Sequence, residues 1–209
     1  MSEREGAAQA GRQRAVRQYK AMTDKAVFLD RDGTLLEEVH YLSKAEDMRW
    51  IPGVREALAE LYKEGWLLII ATNQSGIARG YFTQKDADAV YERMQSDLRS
   101  FGAEFAHIYC CPHHPEYSRL PEERNCSCRK PLPGMFLQAQ KDFGLDFTKC
   151  AAFGDRLRDL TAPAALGCRC FLVESGYGRE ESAKLDKSAC AAKISVCHTF
   201  GEGAKLLLG

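Results

Sequence analysis

The feature that most constrains the fold is a short apolar run that leads directly into acidic residues. Residues 26–29 read Ala-Val-Phe-Leu, and Asp-Arg-Asp-Gly-Thr follows at residues 30–34. A run of this length, ended by a turn signal, is typical of a strand buried on both faces of a parallel sheet. Ligands of such sheets bind beyond the carboxyl ends of the strands, where Asp30 and Asp32 would lie. Taken alone, the segment also fits an ordinary Asp-Gly hairpin turn.

Apolar runs and helix signals alternate along the rest of the chain. Further strands are predicted at residues 66–71, 105–110, 150–153 and 168–173, with a weaker one from Ile194. Periodicity and capping residues predict helices after Pro52-Gly53, from Thr83 to about Phe101, from Pro133 to Gly144, through Ala165 and at the end of the chain. This alternation predicts an α/β protein with a Rossmann-like, doubly wound parallel sheet. We expect one folded domain over residues 25–209 after a flexible tail at residues 1–24.

Composition narrows the functional classes. The 209 residues carry 29 basic and 29 acidic side chains, so no global positive field indicates a nucleic-acid partner. No apolar run is long enough to span a bilayer. Four of the nine cysteines lie between residues 110 and 128, which favours metal binding in a reducing compartment over a disulfide framework. We therefore expect a cytoplasmic, monomeric protein without membrane or nucleic-acid partners.

Complementary polar side chains follow the other predicted strands. Thr72 and Asn73 end the second strand and can donate to phosphate oxygens, while Arg129 and Lys130 supply positive charge for an anionic ligand. Asp155 follows the fourth strand, with Asp159 one helical turn later on the same face. Carboxylates from separate strand ends favour Mg²⁺ over Zn²⁺, because magnesium prefers oxygen ligands.

The cysteine-rich loop predicts a second metal site. Cys111 and His113 are followed, after twelve residues, by Cys126 and Cys128. Three thiolates and one imidazole suit tetrahedral zinc and leave no open position for catalysis, so this Zn²⁺ would be structural and would hold the neighbouring Arg129 and Lys130. Two alternatives are simply buried cysteines and a zinc-knuckle RNA module, although the latter lacks the expected surrounding aromatic and basic side chains.

Four short motifs carry a resemblance to a known family. DRDGT, TNQ, RKP and GDRLRD, each beside a predicted strand or helix, match the signatures of haloacid dehalogenase-superfamily phosphatases over residues 27–178. The resemblance implies that Asp30 is a nucleophile that forms an aspartyl-phosphate and that Asp32 is the general acid and base. It also implies a capless member, because the chain between the first two motifs is too short for a cap domain.

The same resemblance assigns the remaining catalytic groups. Thr72 and Lys130 would hold the phosphoryl group. Magnesium would be bound by Asp30, the main-chain oxygen of Asp32, and Asp155, with Asp159 as an orienting carboxylate. The presence of these groups argues against the alternative of a zinc-stabilised binding module with an inactive phosphatase core.

The longer motifs TNQSGIARG, CPHHP and CxCRKP narrow the resemblance to phosphatases that remove the 7-phosphate of D-glycero-D-manno-heptose 1,7-bisphosphate, a precursor of surface glycans. Histidinol-phosphate phosphatases share these motifs and are the leading alternative. The resemblance implies substrate contacts from Glu38, Val39, His40, Tyr41, Thr72, Asn73, Gln74, Ser75, Arg129, Lys130 and Arg156. The chain departs from the family pattern at Val39, at His40, where glycine is common, and at Arg156, where lysine is common.

Overall fold

The computed structural model describes residues 23–185 and 193–209. The tail predicted for residues 1–24 therefore lies outside the described residues, apart from Thr23 and Asp24. Asp24 contacts the domain through both its main chain and its side chain. Its main-chain oxygen accepts from the Asp146 amide at 2.9 Å, and its carboxylate accepts from Lys149 Nζ at 2.6 Å.

A six-stranded parallel sheet confirms the predicted fold class. Its strands are β1 (Ala26–Leu29), β2 (Leu67–Asn73), β3 (Phe105–Cys111), β4 (Ala151–Gly154), β5 (Arg169–Val173) and β6 (Ile194–Cys197). The spatial order is β3-β2-β1-β4-β5-β6 with every pairing parallel, which is the doubly wound arrangement. The chain changes direction across the sheet between β1 and β4, and a crevice for a ligand is expected above that point.

Helices cover both faces of the sheet. They are α1 (Val54–Lys63), α2 (Gln84–Arg99), α3 (Pro121–Arg124), α4 (Gly134–Phe143), α5 (Leu157–Leu166), α6 (Gly178–Ser182) and α7 (Phe200–Leu208). A capping box between Thr83 and Asp86 starts α2, as the sequence predicts, and Gly144 in a left-handed conformation ends α4. The sequence did not predict the short helices α3 and α6, which contain less than two turns of hydrophobic periodicity.

Strand β1 is the centre of the core because its side chains alternate between two hydrophobic layers. Val27 and Leu29 pack with residues of α1, α2 and α7, whereas Ala26 and Phe28 pack on the opposite face with residues of α4 and α5. All four side chains are at most 1 % exposed. Truncation of a buried phenylalanine costs about 3–5 kcal/mol, so this strand provides a rigid base for the residues that follow it.

The insertion between β1 and β2 is small, as the capless prediction requires. It contains an irregular segment, one 3₁₀ turn at Ala45–Asp47 and α1. Within the described ranges no helix is long and apolar enough to cross a membrane. The cytoplasmic location and the monomeric state stay predictions.

Candidate active site

The carboxyl ends of β1, β2 and β4 surround a pocket of about 350 Å³. It is lined by most of the predicted residues: Asp30, Asp32, Glu38, His40, Tyr41, Thr72, Asn73, Gln74, Ser75, Arg129, Asp155, Arg156 and Asp159. Val39 does not line it and is exposed, while Lys130 lies beneath the pocket floor against Asp30. The structure therefore places all the predicted catalytic and substrate-binding residues except Val39 in or directly under one cavity.

Lys130 is buried between two carboxylates. Its Nζ lies 2.6 Å from Asp30 Oδ1 and 2.8 Å from Asp159 Oδ1. Burial alone would lower the pKa of Lys130, but the two carboxylates more than offset this and raise it, so the side chain stays cationic. The ammonium group is thus fixed next to the carboxylate that is predicted to attack.

The Asn73 side chain anchors the main chain of Lys130. Its Nδ2 donates to the Lys130 carbonyl oxygen at 3.1 Å, and its Oδ1 accepts from the Lys130 amide at 3.0 Å. The sequence predicts that the Asn73 amide donates to a phosphate oxygen. In the structure both of its polar atoms are engaged with Lys130, which makes positioning of the lysine its visible task.

Asp155 occupies a narrow space that only glycines permit. Gly33 and Gly176 both have positive φ, +77° and +53°, and a Cβ on either would come within 2.2–2.3 Å of Asp155 Oδ2. That same oxygen accepts from the Tyr177 amide at 2.9 Å. Burial, followed by repulsion from Asp30 and Asp159, raises the pKa of Asp155 to about 8.

This arrangement of carboxylates fits a divalent cation. One oxygen from each of Asp30, Asp155 and Asp159 lies within 4.8 Å of the others, and Lys130 is the cation that contacts two of them. Hard oxygen donors with excess negative charge are the ligand set that Mg²⁺ prefers. The Asp32 carboxylate is engaged elsewhere, by Arg31 and Gln74.

The predicted zinc ligands converge at the end of β3. The ligand atoms of Cys111, His113, Cys126 and Cys128 all lie within 4.8 Å of one another. Cys111 Sγ is 3.0 Å from Cys128 Sγ and 3.7 Å from Cys126 Sγ, and Cys128 Sγ is 3.4 Å from His113 Nδ1. Tetrahedral zinc with thiolate bonds of about 2.3 Å requires sulfur atoms roughly 3.7 Å apart. Cys111 belongs to β3 rather than to the loop, so the strand itself fixes one corner of the cluster.

The pocket mouth also carries arginines and tyrosines that the sequence interpretation did not assign, namely Arg79, Arg158 and Tyr177, beside the predicted Arg156. Arg79 lies 3.9 Å from the ring centre of Tyr117 and contacts His114 Nε2 at 3.0 Å. Arg156 stacks on Tyr177 at 3.5 Å, and Arg158 also lines the cavity. Arg79 is part of the motif TNQSGIARG, and its position in a glycine-containing loop after a strand end was the available signal. No comparable signal marked Arg158 or Tyr177.

Arg129 connects the cysteine-rich loop, for which zinc is predicted, to the pocket. Its Nη1 donates to the His113 carbonyl oxygen at 3.0 Å, and burial lowers its pKa without removing the charge. His114, next to it, is turned towards Arg79 rather than into the cysteine cluster. Burial, Arg79 and Arg129 lower the pKa of His114, so its imidazole is neutral at neutral pH.

Comparison with known proteins identifies the family. A family model described as polynucleotide kinase 3 phosphatase matches residues 25–155, and one described as HAD-hydrolase-like matches residues 127–202. A D-glycero-beta-D-manno-heptose-1,7-bisphosphate 7-phosphatase of Photorhabdus laumondii is 44 % identical over 153 residues, which cover 72 % of this chain and 81 % of the relative. The chain belongs to this family of haloacid dehalogenase-like phosphatases.

Two further relatives define the range of the family. A D-glycero-alpha-D-manno-heptose-1,7-bisphosphate 7-phosphatase, also from Photorhabdus laumondii, is 39 % identical and covers 75 % of this chain and 86 % of its own length. The crystal structure of the D,D-heptose 1,7-bisphosphate phosphatase from Bordetella bronchiseptica, complexed with magnesium and phosphate, superposes with a TM-score of 0.79. It is 34 % identical and the match covers 88 % of this chain and 98 % of that one. Relatives named for both anomers are therefore similar in sequence to this chain.

Proposed function

We propose that this protein is a magnesium-dependent phosphatase that removes the 7-phosphate of D-glycero-D-manno-heptose 1,7-bisphosphate through an aspartyl-phosphate. The observation that carries the proposal is the contact of Asp30 with Lys130 at 2.6 Å, at the floor of a pocket that also contains Asp32 and Asp155. A carboxylate nucleophile, a fixed cation and a second carboxylate are the groups that this chemistry needs.

The proposed reaction has two steps. An oxygen of Asp30 attacks phosphorus, the bond from phosphorus to the sugar C7 oxygen breaks, and Asp32 gives its proton to the leaving alkoxide. Asp32 then takes a proton from water, whose oxygen attacks the phosphorus of the aspartyl-phosphate. Inorganic phosphate leaves, and the Asp30 carboxylate is restored. Lys130 and the Thr72 hydroxyl compensate the charge on the transferred phosphoryl group.

The metals have separate proposed tasks. Asp30, Asp155 and the main-chain oxygen of Asp32 would hold Mg²⁺, with Asp159 orienting the site, and the ion would reduce repulsion between the Asp30 carboxylate and the phosphate dianion. Cys111, His113, Cys126 and Cys128 would hold a structural Zn²⁺. The short distances among these four ligand atoms support a metal there, and the direct link from His113 to Arg129 connects it to the pocket.

The charge of the pocket mouth favours a bisphosphate over histidinol phosphate. Arg79, Arg129, Arg156 and Arg158 line the cavity. A substrate that carries a second phosphate gains attraction from these guanidinium groups, whereas the ammonium group of histidinol phosphate would be repelled. The curated relatives described above are also named for heptose bisphosphates.

Phosphate release from a substrate panel tests the proposal. The panel contains the α and β anomers of the heptose bisphosphate, histidinol phosphate and simple hexose phosphates, each with magnesium or with EDTA. We expect turnover of a heptose bisphosphate that requires magnesium, with phosphorus NMR showing loss of the 7-phosphate and retention of the 1-phosphate. Preferred turnover of histidinol phosphate, or activity unaffected by EDTA, would contradict it.

A further inference from the structure

Asp32 is held by a buried side-chain network that the proposed mechanism does not by itself require. Arg31, between the two aspartates, is fully buried and donates from Nε to Asp32 Oδ1 at 2.9 Å and from Nη2 to Oδ2 at 2.9 Å. The same Nη2 also donates to Gln74 Oε1 at 3.0 Å. Its Nη1 is buried without a partner in the described part of the chain. Asp32 and Gln74 are therefore the hydrogen-bond acceptors of the buried guanidinium, and its charge attracts both side chains strongly.

Gln74 links this pair to the second strand. Because its Oε1 faces a guanidinium, which only donates, the orientation of the amide is fixed. Its Nε2 then donates to Asp32 Oδ2 at 2.8 Å and to Thr72 Oγ1 at 2.9 Å. The side chain is 4 % exposed, so it has no further polar group to offer a substrate.

The number of hydrogen-bond donors at each oxygen shows which lone pair of Asp32 and which hydrogen of Thr72 remain available. Asp32 Oδ2 receives two donors and Oδ1 receives one, so Oδ1 has the remaining lone pair that can carry a transferred proton. Thr72 Oγ1 accepts from Gln74, which leaves its own hydrogen available to donate to a phosphoryl oxygen. The network thus orients the proton carrier and the phosphoryl ligand at the same time.

We propose that Arg31 and Gln74 are positioning residues that fix the Asp32 carboxylate and the Thr72 hydroxyl for the reaction. This inference rests on the proposed function, because it gives Asp32 the proton-transfer role. Arg31 contacts Asp32 directly and reaches Thr72 only through Gln74, whereas Gln74 contacts both Asp32 and Thr72. Arg31 does not line the pocket, and the polar side-chain atoms of Gln74, which does line it, are engaged within this network.

Leaving-group dependence separates this role from simple structural support. Heptose bisphosphate expels an alkoxide that needs the Asp32 proton, whereas para-nitrophenyl phosphate expels a stable phenolate that does not. The comparison uses kcat/KM with saturating magnesium, because kcat/KM reports the steps up to departure of the leaving group and excludes hydrolysis of the aspartyl-phosphate, in which Asp32 acts for both substrates. Arg31→Met should lose about 10- to 100-fold in kcat/KM on the heptose and less on the aryl ester. Gln74→Met should lose activity on both substrates through Thr72, with a further loss of about tenfold on the heptose. Arg31→Lys, which keeps the charge but not the two-pronged contact, should lie between Arg31→Met and wild type.

Three comparisons make the outcomes distinct. Tyr91→Phe keeps the aromatic ring that lies 5.7 Å from the Arg31 guanidinium and should leave the ratio of the two kcat/KM values at the wild-type value. Asp32→Asn gives the full selective loss on the heptose. If Asp32→Asn is selective but folded Arg31→Met and Gln74→Met lower both substrates equally, the positioning role is wrong. If Asp32→Asn itself shows no selectivity, the proposed role of Asp32 fails instead. Should Arg31→Met not fold, Gln74→Met alone decides between these outcomes.

Discussion

The floor and the rim of the pocket differ in how firmly their side chains are held. The floor consists of Asp30 and Asp32 after β1, Asp155 after β4, Asp159 in the first turn of α5 and Lys130 in the loop before α4. Each of these side chains has at least one hydrogen bond or ion pair at 2.6–3.1 Å. The rim, consisting of Tyr41, Tyr81, Arg79, Tyr117 and Arg156, lies on loops. The three tyrosines of the rim are 45–59 % exposed.

This difference separates chemistry from recognition within one cavity. Burial strengthens the electrostatic contacts of the floor and fixes their geometry, which is what transition-state stabilisation requires. The rim makes aromatic and cation–π contacts, for example between Tyr41 and Tyr81 at 4.7 Å, that loops can rearrange without disturbing the sheet. Changes in the floor should therefore affect kcat, and changes in the rim should affect KM.

The largest effect is expected from the nucleophile. Asp30→Asn keeps the size of the side chain but removes the attacking charge, so kcat should fall by more than about 10⁴-fold while the circular dichroism spectrum is unchanged. Phosphate release by freshly purified variant, made in a host lacking any related phosphatase, measures this. Substantial residual turnover in that preparation would remove Asp30 from the nucleophile role.

The second-largest loss of kcat is expected when the space around Asp155 is reduced. Gly176→Ala places a Cβ within 2.3 Å of Asp155 Oδ2 and within 2.6 Å of the Gly33 Cα, so the carboxylate must move. Because a displacement of about 1 Å in a catalytic group can cost on the order of 10²-fold, kcat should fall by about that factor and the magnesium requirement should rise. Titration of activity with magnesium measures both changes.

Gly102→Ala is the matched control for this variant. Gly102 also has positive φ, +76°, but nothing lies within 4 Å of its added Cβ. It should lose about 1 kcal/mol of stability from backbone strain and keep wild-type kcat. Equal kcat values for the two variants would show that the space around Asp155 is not critical.

The floor could be predicted from sequence because strand ends are encoded locally. The run at residues 26–29 fixes β1, and the parallel topology then brings Asp30 and Asp155 together without knowledge of the loops. The sequence predicts that Asn73 donates to phosphate, but its hydrogen bond to the Lys130 main chain, 57 residues away, depends on tertiary contacts that the sequence pattern does not reveal. The position of Arg31 could not be predicted from the sequence, because a charged residue is usually exposed, whereas Arg31 is fully buried.

The rim could not be predicted in the same way. Its members come from four separate segments: the loop after β1 (Tyr41), the loop after β2 (Arg79 and Tyr81), the cysteine-rich loop (Tyr117) and the turn after β4 (Arg156). No periodicity connects Arg79 with Tyr117, or Arg156 with Tyr177, because loop paths depend on tertiary contacts rather than on local pattern. The clustering of Cys111, His113, Cys126 and Cys128 was predictable, since metal coordination imposes residue types and spacing on the sequence itself.

An intermediate effect is expected from the zinc loop, which supports both regions. Cys126→Ser removes one proposed zinc ligand. It should displace Arg129, because the Arg129 guanidinium donates to the His113 carbonyl oxygen at 3.0 Å. Lys130 has its own anchor in Asn73, so KM for the heptose bisphosphate should rise about tenfold while kcat falls less. Steady-state kinetics together with elemental analysis for zinc measure these changes.

Asn73→Ala is the counterpart, because it releases Lys130 and leaves the cysteine cluster intact. It should lower kcat more than it raises KM and should retain zinc. If Cys126→Ser instead reduces kcat at unchanged KM, Lys130 depends on the zinc loop and its anchor in Asn73 is insufficient.

The smallest effect is expected at His40 on the loop after β1. His40 and Tyr41 have φ values of +43° and +62°, and the His40 side chain is 80 % exposed. His40→Gly relieves about 1 kcal/mol of left-handed strain but adds about 0.4–1 kcal/mol of conformational entropy to the unfolded chain, so the free energy of unfolding should change by less than about 1 kcal/mol. For a domain of this size the corresponding Tm shift is at most about 4 °C.

The freer loop should raise KM for the heptose bisphosphate about threefold and leave kcat on para-nitrophenyl phosphate unchanged. His40→Asn, which tolerates the left-handed conformation without adding glycine's flexibility, should keep wild-type KM. A loss of kcat on both substrates in His40→Gly would mean that the rim and the floor are mechanically coupled, contrary to the division drawn from their burial.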